Sequence, residues 1–249
     1  EDNYFGKLGI IDGTPEARLH PDPDFGFKGY RWSSGGLAGV WADSNTRDSI
    51  FDAFNRKETF ATTGPKIRVR LFAGWGYTKG MLDKAHWPRL ARDSGVPMGG
   101  DLFGLDALDG SPRFLFSATK GPSSGNLDRV QIVKGWLDTD GYTHEKVYDV
   151  AWSGDRQQGP EGAISPVGNT VDIATATYTN DIGNVRLLGF WEDPDFDSTV
   201  RAFYYARVLE IPTPRSSTYD AVELGIPPLP DVPATIKERA FTSPIWYTP

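Results

Sequence analysis

At 249 residues, with 39% hydrophobic and 13% aromatic residues, the chain can bury a substantial core as one large or two modest domains. This excludes a disordered, coiled-coil or low-complexity polymer. Its 26 Lys and Arg against 33 Asp and Glu give a net charge of −7, which repels nucleic-acid phosphates and anionic lipid where no basic patch overrides it, and no such patch is apparent. Without cysteine there are no disulfides, iron–sulfur clusters, thiol catalysis or zinc–thiolate sites, and no apolar run approaches the roughly 18–20 residues of a membrane-spanning helix.

Glu1 to Phe5 carry neither the basic nor the apolar segment of a signal peptide, nor an initiator Met, and read as the middle of a longer chain. Gly13 to Gly36 is rich in proline and glycine and predicts a long surface loop. Gly36 to Ala42 is a short apolar run bounded by glycine, as in a buried strand. Ser44 or Asn45 then caps a helix over Arg47 to Arg56, whose Ile50, Phe51, Ala53 and Phe54 recur at helical spacing and should pack on that strand. Glu58 to Thr62 returns to strand character, and Thr62-Thr63-Gly64-Pro65 makes a turn.

The clearest strand is Lys66 to Ala73. Alternation puts Ile67, Val69, Leu71 and Ala73 on one face and Lys66, Arg68 and Arg70 on the other. A short helix around Lys79 to Lys84 and a glycine-rich connection from Gly95 to Gly110 follow. Beyond Arg113 the readable segments are β: Arg113–Ala118, Arg129–Leu137, Tyr142–Trp152, Thr170–Thr177, Val185–Trp191 and Val200–Ile211. Asp138-Thr139-Asp140-Gly141 predicts a tight hairpin between two of them. Thr235 to Ala240 reads as one helical turn before Ile245-Trp246-Tyr247.

The three histidines, His20, His86 and His144, show no metal-ligand spacing, so this chain offers no self-contained histidine metal site. Asp193, Asp195 and Asp197 alternate in a way that offers oxygens to calcium, but the glycine and distal glutamate of a binding loop are missing and a charged turn is the better reading. His144 and Glu145 point to opposite faces of one strand, which argues against a joint site with Asp149. No G-x-S-x-G elbow supports a serine hydrolase. Lys66, Arg68 and Arg70 side by side suit an anionic group, weighed against a solvated sheet face. The eight tryptophans suit either a core or a sugar-binding platform.

Several strings carry a family resemblance: Gly35 to Ala42, Asn45 to Ala53, Glu58 to Arg70, Gly95 to Leu102, Gln131 to Trp136, Arg201 to Glu210 and Glu238 to Tyr247. Together they resemble the C-terminal part of the bacterial domain-of-unknown-function family number thirty-six-oh-four, over nearly the whole chain. That family is similar to the PHP (polymerase and histidinol phosphatase) superfamily of metal-dependent hydrolases. The resemblance implies hydrolysis of phosphate- or sulfate-type esters with divalent Zn, Mn or Fe. It places the metal ligands upstream of Asp2-Asn3-Tyr4-Phe5, outside this chain, so they would come from an N-terminal PHP-like segment in cis or in trans. Family members carry cysteines near Ala176, Leu188 and Pro214, which implies a periplasmic or secreted location, and those cysteines are absent here.

The expectation is therefore an α/β plus β chain. Residues 1–65 would complete a PHP-like α/β barrel, and residues 66–249 would form a mostly antiparallel β-sandwich. In the hydrolase reading the loop around His20 to Arg31 is a lid, and His20, Arg31, Thr62, Thr63, Lys66 and Arg68 line a pocket for a small anionic ester. The competing reading is a non-catalytic β-sandwich that binds a glycan or a protein through exposed tryptophans.

Overall fold

Alternation at period two dominates the fold. The computed structural model describes residues 14–19, 36–104, 110–160 and 162–249. A short helix α1 (Pro15–Leu19) lies in the segment read as a loop. Strand β1 (Leu37–Val40), helix α2 (Arg47–Asn55) and strand β2 (Thr59–Thr62) follow. Next come β3 (Arg68–Gly74), a 3-10 turn (Lys79–Asp83), α3 (Trp87–Asp93) and the short strands β4 (Val96–Pro97) and β5 (Asp101–Phe103). The long strands are β6 (Arg113–Thr119), β7 (Leu127–Leu137), β8 (Thr143–Trp152), β9 (Arg186–Glu192) and β10 (Ala202–Glu210). The chain closes with β11 (Thr213–Pro214), α4 (Ser216–Leu224), β12 (Thr235–Ile236), β13 (Arg239–Thr242) and β14 (Ile245–Thr248).

Two sheets are packed face to face. In the larger, β10 has β7 along one edge, with β8 beyond it, and both β13 and β14 along the other. β13 continues to β2 and β1, and β14 to β5. All these pairings are antiparallel except β14 with β5. The smaller sheet runs β4-β3-β6-β9, also antiparallel. Between them Val69, Leu71, Phe114 and Phe116 from the small sheet meet Ile132, Tyr204, Ala206, Val208 and Tyr247 from the large one, all buried. The predicted inward face of the Lys66–Ala73 strand is thus the core face. Outside the small sheet, Phe72 and Leu115 are covered by Tyr77, Trp87 and Ala91. An arrangement of this kind is a β-sandwich.

A buried ion pair ties the sheets. Lys134 of β7 donates from Nζ to Asp193 Oδ2 and to the Asp195 carbonyl, both at 2.7 Å, and the Tyr204 hydroxyl donates to the same Asp193 oxygen at 2.7 Å. Burial, followed by the Asp193 charge, pushes the Tyr204 phenol far up. α1 meets α4 through Arg18, whose Nη2 lies 2.6 Å from Asp220 Oδ1.

Several sequence readings are corrected. The described part of residues 1–65 shows no portion of an α/β barrel: β1 and β2 flank α2 but pair antiparallel, and β2 pairs with β13. β1 is not a buried strand, because it lies at the sheet edge and Leu37 is exposed. The helix cap is Thr46 rather than the expected Ser44 or Asn45, its hydroxyl accepting from the Ser49 N–H. In α2 Ala53 is buried while Phe51 and Phe54 are exposed, so the helix does not lay its aromatic face on the strand before it. Thr170–Thr177 is a turn closed by backbone hydrogen bonds between Asp172 and Thr177. The turn of helix read over Thr235–Ala240 is instead β12 and β13, because this segment finds strand partners in β11 and β10. The Asp138–Gly141 hairpin stands as predicted, with Gly141 at φ 87°. Among the described residues, no helix is long and apolar enough to cross a membrane.

Candidate functional site: an aromatic cleft on the large sheet

Register across the large sheet aligns Glu145 of β8, Gly135 of β7, Phe203 of β10, Trp246 of β14 and Asp101 of β5 in one row. Directly paired residues point the same way, so the row shares one face. That face is the outer one, since the neighbours Tyr204, Tyr247 and Leu102 are buried in the core. Gly135 shapes the row: a Cβ there would lie 2.4 Å from the Phe203 ring, so the aromatic lies over the bare backbone. The Phe203 and Trp246 rings are 5.3 Å apart, and Trp246 is 47% exposed.

These residues floor a cavity of about 670 Å³. Its rim is polar, with Asp101 and Glu145 at the ends of the row and Arg201, Thr143 and Thr248 near the strand ends. One position on from Gly135 and Glu145, Trp136 and His144 border the same cavity, their rings stacked at 5.1 Å. His144 Nε2 is 2.7 Å from Asp138 Oδ2 in the hairpin. That hydrogen bond, with the Tyr142 N–H, holds the Asp138 carboxyl below its usual range. His144 and Glu145 do point to opposite faces, yet both border the cleft because it wraps the end of their strand. A second hollow of about 420 Å³ shares Phe203 and Trp246 and extends over Tyr205 and Phe241.

The row spans four inter-strand steps, which puts Asp101 and Glu145 roughly 19 Å apart at their backbones. Two carboxylates that share a glycosidic bond stand within about 10 Å of each other. This pair instead brackets an aromatic floor, and bracketing suits holding a ligand.

A family model described as "Protein of unknown function (DUF3604)" matches residues 1–249. The chain belongs to this family. No curated protein matches the chain. No solved structure matches it.

Of the residues singled out in this family member from sequence, His20 and Arg31 lie outside the described residues. The Thr62 hydroxyl accepts from the Gly64 N–H at 3.2 Å. The Thr63 hydroxyl donates to Glu238 and accepts from the Arg239 N–H. Both threonines therefore fasten β2 and its turn, the second of them to β13. Lys66 and Arg68 are exposed, whereas Arg70 has its guanidinium 3.6 Å over the Trp41 ring. The three cations thus do not form one free face. Burial, then the nearby Arg92 cation, lowers the Arg70 pKa.

The three alternating aspartates separate. Asp193 is buried on Lys134, Asp195 accepts from Lys146 and Tyr148, and Asp197 accepts from Thr199. Among the described residues, no group of three or more His, Asp or Glu is arranged to hold a metal ion. They do not fit the divalent metals that the resemblance implies. Sequence reasoning missed Asp101, Phe203 and the row itself. The visible signal was Gly135 inside an otherwise alternating apolar strand.

Proposed function

We propose that this chain is a binding β-sandwich whose outer cleft holds a glycan segment. The row Glu145–Gly135–Phe203–Trp246–Asp101 carries the reading. A sugar ring has an apolar C–H face and a rim of hydroxyls. The exposed Trp246 face and Phe203 match the first, while the carboxylates of Asp101 and Glu145 accept from the second and Arg201 donates to it. The area that stacking covers supplies affinity, and the rim fixes orientation.

The test is titration with a panel of linear α- and β-1,4-linked hexasaccharides, followed by tryptophan fluorescence and calorimetry. At least one member should bind saturably, and Trp246→Ala, an exposed position, should weaken it by about tenfold or more, a stacking loss of roughly 1.4 kcal/mol. No binding across the panel, or unchanged affinity in Trp246→Ala, overturns the reading.

The family resemblance supports a second reading. As part of a longer chain or complex, this portion would belong to a metal-dependent hydrolase of phosphate- or sulfate-type esters, with a PHP-like barrel segment completing it and an exported location. That reading requires metal ligands from outside the described residues. Metal analysis and turnover of aryl phosphate and aryl sulfate esters by natively purified material test it. Bound metal with turnover supports it, and neither in the full-length protein removes it.

A further inference from the structure

A second polar surface lies on the opposite side of the sandwich. Register across the small sheet aligns Arg68 of β3, Thr119 of β6 and Arg186 of β9 in one row, with Ser117 in the next row on the same face. The face is the outer one, because Val69, Ala118 and Leu187 between these positions are buried in the core. Arg68 and Arg186 are exposed, and Lys66 lies two residues before Arg68.

Most arginines nearby are engaged. Arg92 and Arg56 lie against Glu58, Arg113 pairs with Glu192, and Arg70 covers Trp41. Arg68 and Arg186 have no carboxylate or hydrogen-bond partner among the described residues, and neither do the hydroxyls of Ser117 and Thr119. In a chain with seven more acidic than basic side chains, two unpaired guanidiniums flanking an unpaired hydroxyl form a local exception to the net charge.

We infer that this row is a binding site for the phosphate or sulfate group of a ligand. The two arginines stand roughly 10 Å apart at their backbones, two inter-strand steps, with Thr119 midway, a spacing that lets both long side chains reach one anion held over the threonine. A guanidinium presents a planar fork of donors that takes two oxygens at once. Two forks and a hydroxyl offer five donors, more than the two oxygens of a carboxylate readily accept, whereas a tetrahedral oxyanion accepts from both forks. Lys66, two residues before the strand, adds a third positive charge. The site is separate from the aromatic cleft and does not depend on the glycan reading.

The test is calorimetric titration with inorganic phosphate and, separately, sulfate at low ionic strength, with sodium chloride and sodium acetate as comparisons. Saturable one-to-one binding of a tetrahedral anion, at least severalfold tighter than acetate, is expected. Arg68→Gln and Arg186→Gln should each weaken it about tenfold, the loss of one charge-assisted contact. The double variant should abolish saturation. Arg68→Lys with Arg186→Lys keeps the charge but removes the forks, so it should fall between the wild type and the double glutamine variant. All these positions are exposed, and an unchanged thermal unfolding midpoint verifies the fold. Heats no larger than those of chloride overturn the inference, as does phosphate binding that the double glutamine variant leaves intact. Acetate binding as tightly as phosphate contradicts the tetrahedral assignment.

Discussion

Lys134→Met is the most informative perturbation of the fold. Lys134 is 3% exposed and Asp193 fully buried, so the substitution leaves a carboxylate in the core with only the Tyr204 hydroxyl and the Asp195 N–H to solvate it. Removing one partner of a buried ion pair costs about 3–5 kcal/mol. For a chain of this length each kcal/mol moves the unfolding midpoint by about 2–4 °C, so a drop of roughly 6–20 °C is expected. The companion variant, Lys134→Met with Asp193→Asn, removes the charge yet keeps an oxygen for the Asp195 N–H, and should recover a large part of the loss. Urea unfolding followed by tryptophan fluorescence and by circular dichroism measures both. A single-variant cost under about 1 kcal/mol, or a double variant no more stable than the single, refutes the claim that this pair ties the two sheets.

Gly135→Ala should destabilise by about 1–3 kcal/mol, because the new methyl has to displace the Phe203 ring, and it should also weaken ligand binding in the cleft; unchanged stability and binding would show that Phe203 does not rest on Gly135. Burial pushes the Glu210 carboxyl up from 4.5 to about 7, opposed in part by the Ser124 hydroxyl. Between those values the folded state holds the proton more tightly than the unfolded one. The Glu210 contribution to stability is therefore full below pH 4.5 and is lost as pH rises to about 7, on the order of 3 kcal/mol. Glu210→Gln should flatten that fall in unfolding free energies measured from pH 4.5 to 8, and an equal slope in both proteins contradicts the assignment. Thr46→Ala removes the α2 cap and should cost about 1 kcal/mol in the same unfolding assay.

Local alternation made much of the fold legible in advance. The Ile67-Val69-Leu71-Ala73 face, the Asp138–Gly141 hairpin and the long β runs are set by neighbours in sequence, and the structure has them. What failed depends on distant partners. Arg239 to Thr242 has no strong local preference, and it becomes a strand because β10 and β2 offer it edges. Thr170–Thr177 is rich in β-branched residues, but it finds no strand to pair with and closes on itself. Helix α4 was missed because Ser216-Ser217-Thr218 reads as loop, while its Gly225 stop, at φ 66°, was visible. The cleft was the least legible part. Trp246, Phe203 and Asp101 belong to three strands far apart in sequence, and only register places them in one row. The cation face was read from one strand alone, so it included Arg70, which turns to Trp41, and missed Arg186, which comes from β9.

The central claim is that the outer aromatic row is the ligand site, and the indole N–H signals test it most directly. The chain has eight tryptophans, each a separate reporter in a two-dimensional nitrogen–proton spectrum. Adding the hexasaccharide that binds should shift the signals of Trp246 and Trp136, which border the cleft, and leave those of Trp41 and Trp87 in place, since these pack away from it against Phe60 and Phe72. Shifts confined to Trp41, Trp87 or Trp152, with Trp246 unmoved at saturation, would contradict the account.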